Sequence, residues 1–410
     1  MKKLNHLEYY RLPWNLADNS ISWLEPTAKC NLSCDGCYRN NENDSHKSLE
    51  LIQEELNVFK KYRKCDGVSI AGGDPLTHPQ IVEIVRMIKK MDLKPIINTN
   101  GHLLTKELLS ELKKAGVFGF TLHVDSKQGR PGWKDANEIQ LNELRYQYAK
   151  MIHDAGNISC SFNSTVYRDT LQYTPALIKW AQENIDIVQV IVFILYRAAT
   201  TNKADYYIGP VKVKVDELVY NKKADVQDDI IADEVIELIR KELPDFNPCA
   251  YLNGSQDPSS FKWLLTGRIA SKKQSFGYMG AKAMEIVQAF YHMWNNKYLA
   301  YSEPSAARKG KSLLLLSLFD KSVRKAFWKF YKNPFRIFTR LYYQTAMVIQ
   351  PVDVLDDGRQ NMCDGCPDMT VWNGKLVWSC RMEEQLKYGF NMQTFPKDIN
   401  EQFNKFYNKN

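Results

Sequence analysis

Three closely spaced cysteines are the residues of this chain best suited to chemistry. Cys30, Cys34 and Cys37 lie in the segment CNLSCDGC, which has CxxxCxxC spacing. A four-iron, four-sulfur cluster usually takes four thiolates, one for each iron. Three thiolates leave one iron without a protein ligand, and such an iron can bind another molecule. A zinc site would more often pair a C-x2-C motif with a second cysteine pair at a distance.

The region from residue 21 to residue 200 alternates β-prone runs with segments of helical periodicity. This alternation predicts parallel β/α units, in which ligands bind at the carboxyl ends of the strands. The predicted strands cover 21–25, 68–71, 95–99, 118–124, 158–166 and 187–195, and the predicted helices cover 48–61, 79–91, 105–115, 137–155 and 173–182.

Polar residues and glycines occur where most of these predicted strands end, and they are the further candidate site residues. They are Gly72, Gly73, Asp74, Pro75, Asn98, Asn100, His123, Asp125 and Asn163.

Together, the segment KCNLSCDGCYR and the order of motifs behind it resemble the radical S-adenosylmethionine (SAM) enzymes. The resemblance implies an α/β fold with a partial (β/α)6 TIM-like barrel. It also implies a [4Fe-4S] cluster on the three cysteines, with SAM chelating the open iron. By the same resemblance, Gly72–Pro75 occupy the position of the family's GGEP-like motif, with Asp74 in place of glutamate. Tyr38 and the other strand-end residues are then SAM contacts. Many family members have an aromatic residue where this chain has Gly36, which predicts altered adenine packing.

A second cysteine set lies near the carboxyl end of the chain. Cys363 and Cys366 form a C-x2-C motif, and a hairpin predicted at Asn373-Gly374 leads to Cys380. This arrangement resembles the SPASM or twitch auxiliary-cluster domains of the same family, and it implies a C-terminal α+β domain with a second [4Fe-4S] cluster. Cys249 is the expected fourth ligand. A zinc site on the same four thiolates is the alternative, as is a cluster with an open iron if Cys249 is structural.

The two cysteines outside both sets are Cys65 and Cys160, and they are expected in the core. Nine cysteines without a signal peptide, three of them iron ligands, favour the cytoplasm over a disulfide-forming compartment.

The positive charge of the chain is concentrated in one segment. The formal net charge is +8, and residues 308 to 341 contain ten Lys or Arg residues and one acid, Asp320. Helical spacing places apolar and basic residues on opposite faces, with a second helical set expected at Phe338, Leu341, Tyr342 and Thr345. Such a basic amphipathic segment favours a membrane surface, a core helix with a solvated basic face, or, less well, a nucleic-acid groove. The apolar run from Leu313 to Leu316 is too short to span a bilayer.

These features divide the chain into four expected parts. They are an N-terminal extension (1–20), the radical SAM partial barrel (21–200), a helical substrate region (201–360) with the basic amphipathic segment 308–345, and the auxiliary-cluster segment (361–410), which recruits Cys249.

The resemblance implies reductive cleavage of SAM and hydrogen abstraction from an unactivated C–H bond. The reductant would be a flavodoxin- or ferredoxin-type donor. The basic segment favours a hydrophobic, membrane-lipid substrate at an anionic membrane surface, on the inner face. Peptide maturation of the SPASM or twitch type is the second hypothesis and RNA modification the third, with nucleic acid the least favoured partner. An electron-transfer or structural iron–sulfur protein is the non-enzymatic alternative, and the three-cysteine site argues against it.

Overall fold

The computed structural model describes residues 3–197, 200, 204–216, 218–219, 230–355 and 357–397. Parts of the expected substrate region and residues 398–410 of the expected auxiliary segment lie outside these residues. The strands are β1 (Tyr10–Arg11), β2 (Ile21–Thr27), β3 (Gly67–Gly72), β4 (Lys94–Thr99), β5 (Gly119–His123), β6 (Ser159–Val166), β7 (Val190–Leu195), β8 (Ala204–Ile208), β9 (Val211–Val213), β10 (Ala250–Asn253), β11 (Phe261–Ala270), β12 (Ser275–Tyr278), β13 (Tyr342–Ile349), β14 (Asp353–Val354), β15 (Gln360–Asn361), β16 (Met369–Trp372), β17 (Lys375–Trp378) and β18 (Gln393–Pro396). The helices are α1 (Leu49–Tyr62), α2 (Ile81–Lys90), α3 (Lys106–Ala115), α4 (Asn142–Ala155), α5 (Thr174–Glu183), α6 (Ala232–Glu242), α7 (Ala281–Asn295), α8 (Pro304–Ala307), α9 (Gly310–Leu313), α10 (Lys321–Tyr331) and α11 (Met382–Tyr388).

One large sheet organises the molecule. Its strand order is β1-β10-β11-β13-β7-β6-β5-β4-β3-β2, with β12 paired to β11. Strands β2 to β7 are parallel to one another, and β13 continues the parallel arrangement beside β7. The predicted α/β fold is therefore confirmed as an open sheet of the partial-barrel type. Among the described strands, the sheet does not close into a barrel.

Helices cover one face of this sheet, and α1 shows why they form there. Ile52, Leu56 and Phe59 recur at helical spacing and are buried in the main apolar cluster. The Ser48 hydroxyl accepts a hydrogen bond from the backbone N–H of Leu51 and begins the helix. The same cluster contains Phe120 of β5 together with Leu122 and Phe162. The alternate residues of β5 and β6 therefore point to the opposite face, where the candidate site lies.

The segment expected to form a second amphipathic helix is instead strand β13, so that prediction was wrong. Tyr342, Gln344, Ala346 and Val348 are buried at every second position. Ala346 pairs with Ile191 of β7 on one side and with Thr266 of β11 on the other. Hydrogen bonding to two neighbouring strands outweighs the local helical spacing. Among the described residues, no helix is long and apolar enough to cross a membrane.

The C-terminal cysteine segment is attached to the amino end of β2. The Arg63 side chain, just after α1, is the connecting group. Its guanidinium donates to the carbonyl oxygens of Ile21 (3.1 Å), Cys366 (2.7 Å) and Pro367 (3.1 Å). Arg63 is buried, so these bonds form away from bulk water. They fix the C-x2-C motif against the first residue of β2.

We expect Arg63→Ala to release this segment. The substitution leaves three buried carbonyl oxygens without their charged donor, which should lower the free energy of unfolding by about 2–4 kcal/mol. Thermal unfolding and limited proteolysis between residues 360 and 380 would measure the effect. Arg86→Ala, on the exposed face of α2, is the matched control. Equal stability and equal protease resistance in the two variants would contradict the role given to Arg63.

Candidate active site

The first cysteine set lies in the loop that follows β2. Cys30, Cys34 and Cys37 are free thiols, and Cys37 N–H donates to the Cys34 carbonyl at 3.3 Å. Burial raises the pKa of Cys34, and the neighbouring Asp125, Cys37 and Cys30 raise it further. The three thiols are therefore close enough to influence one another's charge. In the described part of the chain no three Cys, His, Asp or Glu side chains reach metal-ligand spacing, so cluster binding requires these thiols to turn toward one another.

The turn after β3 supports the base of the cysteine loop. Asp74 N–H donates to the Lys29 carbonyl at 2.7 Å, and Gly73 N–H donates to the Thr27 carbonyl at 2.8 Å. A Cβ atom at Gly73 would lie 2.2 Å from the Lys29 carbonyl oxygen, so only glycine fits there. Gly72 has φ +105°, which also favours glycine. The two glycines bring the turn against the backbone that leads into Cys30.

The Asp74 carboxylate joins the ends of β3 and β4. It accepts from the Thr99 hydroxyl at 2.8 Å and from the backbone N–H groups of Asn100 (2.8 Å) and Leu76 (2.9 Å). Burial raises the pKa of Asp74, although these donors oppose the shift. The carboxylate is thus occupied by the protein itself. Pro75, the last residue of the motif, begins a short 3-10 turn.

Three asparagines line the same region. The Asn100 side-chain amide donates to Asn31 Oδ1 at 2.7 Å and lies 3.8 Å from Cys30 Sγ. Asn98 Nδ2 and Asn163 Oδ1 are buried and have no hydrogen-bond partner among the described residues. Buried polar atoms are seldom left unpaired, and an unpaired one often marks a ligand position. Asn98 and Asn163 therefore meet the expectation for groups that bind a polar ligand.

His123, which is partly exposed, and Asp125, which is buried, form a pair at the end of β5. His123 Nε2 lies 2.8 Å from Asp125 Oδ2 and 3.0 Å from the Thr165 hydroxyl. Burial alone would raise the pKa of Asp125, but His123 and the backbone N–H groups of Lys127 and Thr165 hold it below its usual range. His123 and Asn163 are registered partners on β5 and β6 and so face the same side. The pair places a polar, charged group beside Asn163.

Arg130 is a site residue that the sequence did not single out. Its guanidinium donates to the carbonyl oxygens of Asn100 (2.7 Å) and His123 (3.2 Å), and it lowers the pKa of Cys34 and Asp74 against the effect of burial. Its Nε is buried without a partner among the described residues. Arg130 thus brings positive charge to the cysteine loop. Its position after a loop of Gly and Ser residues gave no local signal.

The space beside Gly36 is filled by two tyrosines from distant strands. Tyr167 and Tyr196 stack with ring centroids 5.0 Å apart. A Cβ atom at Gly36 would lie 2.5 Å from the Tyr167 hydroxyl oxygen, so a larger residue here would require the Tyr167 side chain to move. In this chain the Tyr167 hydroxyl therefore takes up the space beside residue 36. Tyr38 lies elsewhere: burial and the charges of Glu25 and Asp368 raise its pKa, and Arg39 lies over its ring at 5.3 Å.

The second cysteine set comes together without Cys249. Burial and Cys363 both raise the pKa of Cys380, to about 12, and the hydrogen bond between Cys366 and Cys363 is the largest influence raising the pKa of Cys366. Cys363 also pairs with Gly254, just after β10. Cys249 lies at the other end of β10, five extended residues away, or about 16 Å. Its thiol is fully buried and contacts the Leu265 carbonyl at 3.4 Å.

The expectation that Cys249 supplies the fourth ligand is therefore not supported by its position. A cluster on Cys363, Cys366 and Cys380 would have an iron without a protein thiolate, which is the alternative given above for a structural Cys249.

Comparison with known proteins identifies the domain that carries the first cysteine set. The model of the radical SAM superfamily matches residues 24–181, from β2 into α5. The chain therefore contains a radical SAM domain. Members of this superfamily are enzymes that use a [4Fe-4S] cluster and SAM, which confirms the family recognised from the CxxxCxxC motif.

Curated relatives are similar over part of the chain. A tungsten-containing aldehyde ferredoxin oxidoreductase cofactor-modifying protein of Pyrococcus furiosus is 35% identical over 23% of this chain and 28% of its own length. An AdoMet-dependent heme synthase of Methanosarcina barkeri is 28% identical over 46% of this chain and 54% of its own length. A probable GTP 3′,8-cyclase of Methanococcus maripaludis is 26% identical over 42% of this chain and 58% of its own length. The chain thus spans between about a quarter and somewhat over half of these relatives.

Solved structures resemble the chain more loosely. Streptococcus suis SuiB bound to precursor peptide SuiA has 19% identity and a TM-score of 0.37, over 45% of this chain and 41% of that one. Methylornithine synthase (PylB) has 14% identity and a TM-score of 0.38, over 56% of this chain and 63% of that one. These values identify no shared substrate.

The residues of the superfamily domain fit its cofactors. Three free thiols in one loop can supply thiolates to three irons, and metal binding would draw off the protons that burial retains. The unpartnered Asn98 and Asn163 are polar groups that face the same side of the sheet as the loop end. The cluster would be held by Cys30, Cys34 and Cys37, and the two asparagines would hydrogen-bond SAM.

Asp74→Ala should test whether this carboxylate holds the strand ends together. Three donors lose their shared acceptor, so we expect the free energy of unfolding to fall by about 2–4 kcal/mol. Chemical denaturation measures this loss, and Asp135→Ala, at an exposed loop position, is the control. A variant as stable as the control would show that Asp74 does not support the loop.

Iron content should separate the two cysteine sets and decide the position of Cys249. After anaerobic reconstitution we expect about eight irons per chain, in two four-iron clusters. Cys380→Ala should retain about four, whereas Cys249→Ala should retain about eight. Cys160→Ala, another fully buried thiol, controls for disturbance of the core. Loss of about four irons in Cys249→Ala alone would make Cys249 a ligand, and zinc in the second site would exclude an auxiliary cluster.

Proposed function

We propose that this protein is a radical SAM enzyme that takes a hydrogen atom from an unactivated C–H bond of a hydrophobic, lipid-like substrate. When bound, the cluster and SAM supply the chemistry: one electron from a flavodoxin- or ferredoxin-type donor cleaves SAM to methionine and a 5′-deoxyadenosyl radical, which takes the substrate's hydrogen atom and becomes 5′-deoxyadenosine. The observation that carries the proposal is a loop of three free thiols at the polar edge of the parallel sheet.

The protein's own residues would position the reactants. Cys30, Cys34 and Cys37 would bind three irons, and Asn98 and Asn163 would orient SAM through their unpartnered amide atoms. Asp74 would act indirectly, because its oxygen atoms already accept hydrogen bonds that hold the loop. Asn98 and Asn163 are fixed by strands β4 and β6, which favours a precise arrangement.

An apolar wall beside the polar edge supports a hydrophobic substrate. Asn163 pairs with Val192 on β7, and Val192 pairs with Met347 on β13, so the three side chains face the same side. The intervening residues Ile191 and Phe193 lie in the helix-covered cluster on the other face. The candidate SAM contacts are therefore next to apolar side chains, of which Val192 is buried and Met347 half-buried, on the side of the sheet where we propose that the alkyl group lies.

The second cysteine set would serve the same substrate or its product. A cluster on Cys363, Cys366 and Cys380 would have one iron for a non-protein ligand, or would accept the electron released by an oxidised product. The exposed basic and apolar residues between 311 and 340 favour a membrane lipid, taken up at the cytoplasmic face. Peptide maturation and RNA modification are the competing substrate classes.

Transfer of a heavy isotope tests the reaction and the substrate class together. The reconstituted enzyme with SAM and a chemical reductant should form 5′-deoxyadenosine. With perdeuterated host lipids the 5′-deoxyadenosine should gain deuterium, as measured by mass spectrometry. Cys37→Ala should form none, while Cys65→Ala, outside both cysteine sets, should behave as the unaltered protein.

Two results would change the proposal in different ways. Absence of 5′-deoxyadenosine from fully reconstituted protein would overturn the enzymatic function. Formation of unlabelled 5′-deoxyadenosine with deuterated lipids, but labelled product with deuterated peptides or RNA, would keep the chemistry and replace the lipid.

A further inference from the structure

A basic helix flanked by exposed apolar turns forms a distinct surface away from the candidate active site. We call it the basic–apolar surface and define it by α10, the turn Leu314–Leu318 with Phe319, and the turn Pro334–Phe338. Its apolar members are Leu315, Leu318, Phe319, Trp328, Phe335, Ile337 and Phe338, and its basic members are Lys311, Lys321, Arg324, Lys325, Lys329, Lys332 and Arg336.

The apolar members are exposed to a degree that folding does not explain. Phe338 is 88% exposed, Phe335 81%, Leu318 76% and Leu315 74%. The inner face of α10 has its own core contacts, because Val323, Ala326 and Phe330 are buried. The exposed side chains are therefore not the packing face of this helix, and large exposed apolar patches usually mark interaction sites.

The three elements are held together as one surface. Arg324 donates to the carbonyl oxygens of Ser317 (2.9 Å) and Leu318 (3.0 Å), which ties the first turn to α10. Arg336 donates to the Lys329 carbonyl at 2.8 Å and ties the second turn to the helix end. The guanidinium groups are thus placed beside the exposed apolar side chains.

The outward charge of this surface is almost entirely positive. Lys329 is the one basic member with an ion pair among the described residues, at 3.4 Å from Asp245. Asp320, the one acid of the segment, is buried, and it accepts hydrogen bonds from the N–H groups of Val323 and Ala283. Helical spacing places Trp328 in the middle of the basic face of α10, between Lys321, Arg324, Lys325 and Lys332.

We propose that the basic–apolar surface docks on an anionic lipid bilayer. Its positive charges complement acidic headgroups, and the lysine and arginine stems can reach headgroup level while the neighbouring rings enter the apolar layer. The aliphatic Leu315, Leu318 and Ile337 suit acyl chains and offer no ring for stacking nucleic-acid bases. Docking stands on this surface alone, while its use for delivering a lipid substrate rests on the proposed function.

Vesicle cosedimentation of the full chain tests the charge component. The protein should pellet with vesicles of equal parts phosphatidylcholine and phosphatidylglycerol, and much less with phosphatidylcholine alone. Replacement of Lys321, Lys325, Lys329 and Lys332 by Gln should weaken binding at least about tenfold. Replacement of Lys60, Lys61, Lys89 and Lys90 by Gln removes the same charge from exposed ends of α1 and α2 and should change binding by less than about twofold.

The apolar component needs its own variant. Phe335→Ser with Phe338→Ser should weaken binding to the mixed vesicles at least about tenfold, even at raised salt. Leu7→Ser with Phe390→Ser, at residues 79% and 68% exposed on other elements, is the matched control. Circular dichroism would verify that all variants are folded.

Several results would overturn membrane docking. They are equal binding to the two vesicle types, an equal loss of vesicle binding in the four-lysine variant and in its control variant, or displacement of the vesicles by RNA at equal charge concentration. Vesicle binding without 5′-deoxyadenosine formation would retain the surface and refute the enzyme, and the reverse result would refute the surface alone.

Discussion

Parallel hydrogen bonding of seven strands is the constraint on which the rest of this structure depends. Because the strands run in one direction, their carboxyl ends meet at one edge, and registered residues face the same side. The pairing of His123 with Asn163, and of Asn98 with Thr121, brings together side chains that are far apart in sequence. The cysteine loop follows the first of these strands, so it opens at the same edge. The Asp74 carboxylate then fixes the loop through neighbouring strand ends.

The sequence predicted the first half of the fold well because each β/α unit has local signals for both of its parts. The prediction failed at β13, because no local pattern there distinguishes a strand from a helix. The apolar residues from Tyr342 to Ile349 fit both the alternation of a strand and the spacing of a helix, and the segment follows a basic helical segment. What makes it a strand is pairing with β7, which ends near residue 195, and with β11. Such contacts between distant segments cannot be found in a local pattern.

The candidate site shows the same division between local and distant information. Spacing alone selects Cys30, Cys34 and Cys37 as candidate ligands, because three cysteines on one short loop can be recognised without knowledge of the fold. Arg130 and Tyr167 reach the loop from later strand ends, and residue type gave no reason to select them. Cys249 is the opposite case. Its residue type suits a metal site, but five extended residues separate it from the position that pairs with Cys363, and its role as a ligand stays a prediction.

Two connections relate the positions of the two cysteine sets. Arg63 holds Cys366 against Ile21, at the amino end of the strand whose carboxyl end leads into the first set. The Glu383 carboxylate, just after Cys380, accepts hydrogen bonds from the backbone N–H (3.2 Å) and the side-chain amide (3.1 Å) of Asn40, just after Cys37. Tyr38 is half-buried, and burial raises the pKa of its hydroxyl, which the charges of Asp368 and Cys37 raise further. A substrate that lies along the inner face of the sheet could approach both sets, which agrees with the proposal that the second set acts on substrate or product rather than on SAM cleavage.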